Sequence, residues 1–127
     1  MMYRTLTRFA FFFAALAILA MANLPDPPQI PGELSDKAQH MLAFAVLSAL
    51  ARAAWPATAA WKILVLLAAF GAIVELLQAA AGLGRDPSMA DWLADVAAIA
   101  LVLIAIAAAR IFVVQVRRFF PSLDSTK

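Results

Sequence analysis

The 127-residue chain contains no cysteine, one histidine, one tyrosine and four glycines, and only 14% of its residues are charged. Without cysteine, disulfides and thiol chemistry are excluded. The shortage of charge excludes a water-soluble domain of this size, which would need far more polar surface to cover its core. A formal net charge of +2, with no basic run interleaved with aromatics, excludes nucleic acid as a partner. What is abundant is apolar: 65% of the residues are hydrophobic and the mean hydropathy is +0.89. These residues come in long blocks, so the solvent they call for is lipid. The length allows one compact domain.

Four blocks are expected as helices at about 8–24, 36–55, 61–81 and 88–112, with a basic tail over 113–127. Pro25, Pro27, Pro28, Pro31 and Gly32 force an extended connection after the first block. Ser35 is a candidate N-cap for the second, and Gly82-Leu83-Gly84 a normal exit from the third. Pro87-Ser88 opens the fourth. Each block is close to the ~20 residues that cross a ~30 Å hydrocarbon layer. The expected fold is all-α, a four-helix antiparallel transmembrane bundle. The first block can also be read as a cleavable signal peptide ending near Ala20-Met21-Ala22. Its long apolar core and the prolines that follow favour a retained helix.

Four helices joined by short loops alternate in direction, and positive charge then fixes the orientation. With the N-terminus inside, Arg4, Arg8, Arg52, Lys62, Arg110, Arg117, Arg118 and Lys127 are cytoplasmic, and only Lys37 and Arg85 are outside. Both termini are therefore expected in the cytoplasm. Trp55 and Trp61 fall at the inner interface and Trp92 at the outer one. The tail reads as a stop-transfer flank, or as a segment lying on an anionic leaflet.

The acidic residues are more lopsided still. Asp26, Glu33, Asp36, Asp86, Asp91 and Asp95 fall in the outer connections or outer helical turns, and only Asp124 is cytoplasmic. Glu75 lies seven residues before Gly82, hence ~10 Å inside the third helix. Asp36 and His40 share a face of the second helix, with Lys37 beside them. Glu75 and Gln78 share a face of the third, and Asp91 and Asp95 of the fourth. A carboxylate left in lipid costs about 2.5–3.5 kcal/mol even on the lenient insertion scale, so these side chains should face one another. The expected object is a polar pocket opening outward, lined by Asp36, Lys37, His40, Glu75, Gln78, Arg85, Ser88, Asp91 and Asp95. Duller roles are available: Asp91, three residues after Ser88, suits a capping box, and His40 suits a satisfied packing position. A Glu75–His40 or Glu75–Arg85 pair would serve simply to lock the helices.

These positions carry a resemblance. The run Asp36-Lys37-Ala38-Gln39-His40-Met41-Leu42-Ala43-Phe44, then Gly71, Glu75-Leu76-Leu77-Gln78, Arg85, Ser88 and Asp91 resembles the VanZ-like family of small bacterial membrane proteins. Each piece alone is weak; their order and spacing over roughly residues 24–102 are more specific. The chain departs at Asp95, where the family has asparagine, and at Ala98 and Val102, where it has glycines. The resemblance implies a single VanZ-like domain over residues 1–127, a bacterial cytoplasmic membrane and an envelope-related role, with a link to teicoplanin resistance. It implies no particular reaction.

Three functions remain open on these residues. In the first, the pocket binds the polar head of a lipid-linked envelope molecule or an amphiphilic antibiotic, with Lys37 and Arg85 taking phosphate or carboxylate. In the second, the protein is an enzyme acting on such a headgroup, with Glu75 and His40 as acid and base. No recognised nucleophile motif, phosphate loop or metal-ligand set accompanies them; His40 with carboxylates can in principle hold a metal, but a single imidazole is thin support, so neither cofactor nor metal is expected. In the third, the polar network only fixes helix order and the function lies with a larger partner. A path for ions is not expected, because residues 63–74 and 96–109 contain no ionisable side chain.

Overall fold

The computed structural model describes residues 2–24, 35–80 and 88–120. Among them the chain is all-helical, with α1 over Met2–Ala22, α2 over Asp36–Ala54, α3 over Ala60–Ala80 and α4 over Met89–Phe119. The expected boundaries of α2 and α3 hold to within a residue.

The start of α1 and the end of α4 differ from expectation. Helix α1 starts six residues before the apolar block, and α4 runs seven residues past the expected end at 112. The hydropathy change marks where lipid would give way to water, not where the hydrogen-bond ladder stops. No glycine or proline interrupts residues 2–22 or 89–119, so nothing breaks either ladder. Residues 113–119 are thus helix, not a separate tail, and 121–127 lie outside the described residues. Arg117 and Arg118 occupy the last turn of α4, where cations suit the helix dipole.

The caps are local and specific. Ser35 Oγ accepts from the Ala38 N–H at 3.3 Å and starts α2. Asn23 Nδ2 donates to the Leu19 carbonyl at 2.8 Å, satisfying one of the free carbonyls at the end of α1. Between α2 and α3, Arg52 Nη1 donates to the Pro56 and Thr58 carbonyls at 2.9 and 2.7 Å, which fixes the short connection. Trp55 closes the same end, its ring edge-on to Phe11 at 5.0 Å with the Arg8 guanidinium 5.7 Å from its centroid.

Helix α2 is the axis of the fold. It packs against α1, α3 and α4; α3 also packs on α4, whereas α1 and α4 do not meet among the described residues. The core joins Phe44, Leu47 and Ala51 of α2 to Ile63 and Leu67 of α3 and Ile99 and Leu103 of α4, with Phe11, Ala14, Ala15 and Ile18 of α1 packed alongside. Ser48, wholly buried in α2, donates its hydroxyl to the Phe44 carbonyl at 2.7 Å, so its polar atom costs little.

Three of the described helices, α1, α3 and α4, are long and apolar enough to cross a membrane. Their outward faces carry Phe13, Leu66, Leu76, Leu101 and Phe112, each more than three-fifths exposed. In water such a surface would aggregate; in lipid it is solvated. The protein is a membrane protein. Helix α2, also expected as a span, is not apolar enough to join that set. Its neighbours cover His40 and Ser48, while Leu42 and Val46 stay exposed.

Candidate functional site

The site forms where the first turns of α2 and α4 meet the last turns of α3. Ser35 sets the start of α2, which puts Lys37 and His40 in its first two turns. Ser88 sets the start of α4: its Oγ accepts from the Asp91 N–H at 3.2 Å, with Asp95 one turn further in. In a capping box the N3 side chain would return the favour and accept the cap residue's own N–H. Here that N–H goes instead to Glu75 Oε2 of α3, at 3.0 Å. A carboxylate borrowed from the neighbouring helix completes the cap, and Asp91 is left to pair with Lys37.

Two layers result. In the upper one, Lys37 Nζ lies 3.3 Å from Asp91 Oδ1, with both side chains partly exposed. A pair of this kind is worth about 0–1 kcal/mol. In the lower one, His40 Nδ1 faces Asp95 Oδ2 at 3.7 Å, and donor atoms of His40, Glu75 and Asp95 all lie within 4.8 Å of one another. Glu75 and Asp95 are 8% and 2% exposed, which makes them the most deeply placed charged groups described. Burying each carboxylate costs several kcal/mol unless it is compensated. The lower layer therefore dominates the electrostatics of the site. Asp95 Oδ1 is buried with no hydrogen-bond partner among the described residues.

One expected site residue goes elsewhere. Gln78, on the same face of α3 as Glu75, turns to α1 and donates Nε2 to the Ala22 carbonyl at 3.0 Å. It ties two helix ends together. The Asp36 side chain and Arg85 lie outside the described residues. His40, Glu75 and Asp95 converge as expected, and Lys37, Ser88 and Asp91 sit directly beside them.

Two residues shape the site without having been assigned to it. Trp92, expected only at an interface, donates Nε1 to the Ala68 carbonyl at 2.9 Å and so fastens α4 to α3. Gly71, noted only within the family resemblance, leaves room for that contact: a Cβ there would lie 3.3 Å from Phe44 Cζ and 3.6 Å from Trp92 Cδ1. A glycine amid an apolar helix was the available signal, since it favours close approach of neighbours.

Comparison of the chain with protein-family models, with curated proteins and with solved structures gives no match.

Proposed function

We propose that this is a multi-pass protein of the bacterial cytoplasmic membrane whose polar site opens to the outside and binds the charged head of a lipid-linked envelope molecule or a similar amphiphile. The helices alternate in direction in this reading, with both termini cytoplasmic. Its support is the pairing of helix ends: the start of α2 with the start of α4 through Lys37–Asp91, and the end of α1 with the end of α3 through Gln78–Ala22. The excess of Arg and Lys at the opposite end supports the orientation. The resemblance to the VanZ-like family supports the envelope role.

One observation carries the binding function: three helices bring a buried imidazole–dicarboxylate group under an exposed Lys–Asp pair, at a single end of an otherwise apolar molecule. Polar groups this expensive to place in a membrane point first to a ligand or its passage, and otherwise to a lock between helices. Passage is disfavoured, since no ionisable side chain continues the route along residues 63–74 or 96–109. An amphiphile fits the rest, with tails along the apolar flanks and its head at the site.

The test is capture of a polyprenyl phosphate by the detergent-purified chain, read by native mass spectrometry. Arg85→Ala is expected to weaken capture about tenfold, the loss of one charge-assisted contact, with normal membrane insertion. Equal capture by the parent and the variant would rule out headgroup binding through this cation. His40 beside Glu75 and Asp95 favours a second reading, in which Glu75 and His40 act as acid and base in hydrolysis of the bound head, water adding to phosphorus as the polyprenol leaves with a proton; release of free polyprenol and inorganic phosphate from the captured probe would establish it.

A further inference from the structure

We infer that His40, Glu75 and Asp95 form a binding site for a divalent first-row transition metal, of the Zn2+ or Mn2+ type. The three residues come from three helices, and one donor atom of each lies within 4.8 Å of the other two. His40 Nδ1 and Asp95 Oδ2 are 3.7 Å apart, too long for a hydrogen bond. Two ligands each ~2.1 Å from a tetrahedral ion stand ~3.4 Å apart, so a shift of a few tenths of an ångström places both on one metal.

The second observation is the orphaned oxygen. Asp95 is 2% exposed, and its Oδ1 has no hydrogen-bond partner among the described residues. A buried carboxylate oxygen in that condition is a strong acceptor with nothing to accept from. A cation held by both oxygens of Asp95 satisfies it. Glu75 is held differently: its Oε2 accepts from the Ser88 N–H at 3.0 Å. That contact orients the carboxylate, as outer contacts do for metal ligands.

Charge points the same way. With neutral imidazole, Glu75 and Asp95 bring two carboxylates into the buried part of an apolar bundle. Lys37, the nearest described lysine, is already engaged by Asp91. A divalent ion neutralises both carboxylates at once. The donor set chooses its class: one imidazole nitrogen with two carboxylates suits Zn2+ or Mn2+, while copper(I) would call for the thiolates this chain lacks. Three protein ligands leave a coordination position open. A phosphate or carboxylate head bound at the site would occupy it. The metal site itself does not depend on that: a chain that captured no amphiphile would still hold the ion.

The experiment uses the untagged full-length chain in detergent, stripped with a chelator, equilibrated with Zn2+ or with Mn2+ in the absence of any amphiphile, and assayed for metal after gel filtration. One ion per chain is expected. His40→Gln, Glu75→Gln and Asp95→Asn should each lower its affinity at least 100-fold, more than the 10–100-fold typical of an outer contact. X-ray absorption on the loaded parent chain needs no variant to fold, and should show a shell of nitrogen and oxygen with one imidazole at about 2.0–2.1 Å. No retained ion with either metal, parent-like affinity in any of the three variants, or a shell lacking imidazole would each overturn the inference.

Discussion

Leu101→Arg is expected to cost about 2.5–3.5 kcal/mol in membrane insertion, roughly a 70- to 400-fold shift toward the non-inserted form. Leu101 lies in the middle of the apolar run of α4 and is 64% exposed. In a soluble protein an exposed leucine tolerates arginine within about 0.5 kcal/mol, because the guanidinium simply enters water. In lipid the same change strands a charge among acyl chains, too far from either interface to snorkel without deforming the bilayer. The sign and size of the effect therefore report the solvent around α4. A glycosylation-based insertion assay on the fourth segment reads it directly. Wild-type insertion together with improved solubility of the variant would mean that this face meets water.

Phe44→Ala is expected to destabilise the folded helices by about 2–3 kcal/mol, below the 3–5 kcal/mol usual in water-soluble cores. Phe44 is 1% exposed, lies one helical turn below His40, and fills the space that Gly71 opens beside Trp92. In water the loss would combine a transfer contribution with a cavity contribution. In a bilayer the unpacked helices already sit in hydrocarbon, so most of the transfer contribution is absent. What remains is the void, roughly 100 Å3 at ~24 cal/mol per Å3. Reversible unfolding in mixed micelles measures the difference. A Phe44→Leu variant, which refills part of the void, should recover about half the loss. Equal losses in the two variants would place the effect in something other than packing.

How far sequence reasoning reached depended on whether the deciding physics was local. Ser35 and Ser88 were readable as caps because a hydroxyl at a helix start has one obvious partner, the N–H three residues on. The meeting of His40, Glu75 and Asp95 was readable because the penalty for an unpaired charge in lipid is larger than nearly any packing preference. Contacts that depend on how each helix is rotated were not. Glu75 and Gln78 share a face by spacing, yet one turns to α4 and the other to α1. A helix face wide enough to touch two neighbours cannot be divided between them by periodicity alone. The tie that Trp92 makes to α3 is hidden for a related reason. An amphipathic ring suits a membrane interface, and nothing in its sequence neighbourhood announces that Gly71 opens a groove for it. Hydropathy does not mark the start of α1 or the end of α4, because it follows the solvent and not the hydrogen-bond ladder.

The role of α2 follows from its surroundings. It is the least apolar helix, and both α1 and α4 pack chiefly on it. Its polar residues His40 and Ser48 lie on faces that its neighbours cover, whereas Leu42 and Val46 stay exposed. The same arrangement gives the site its asymmetry, with a weak, half-solvated Lys37–Asp91 pair above and a costly, enclosed trio below.

Because the chain has no cysteine of its own, the enclosed trio can be probed by pairs of introduced thiols. His40→Cys combined with Asp95→Cys, and separately with Glu75→Cys, would be treated in native membranes with a short, membrane-permeant bifunctional thiol reagent. Intramolecular linkage in both pairs is the outcome expected if α2, α3 and α4 turn these side chains toward one another. Failure of either pair to link, with both thiols still reactive toward a small monofunctional reagent, would mean that the charged groups face apart and that no shared site exists.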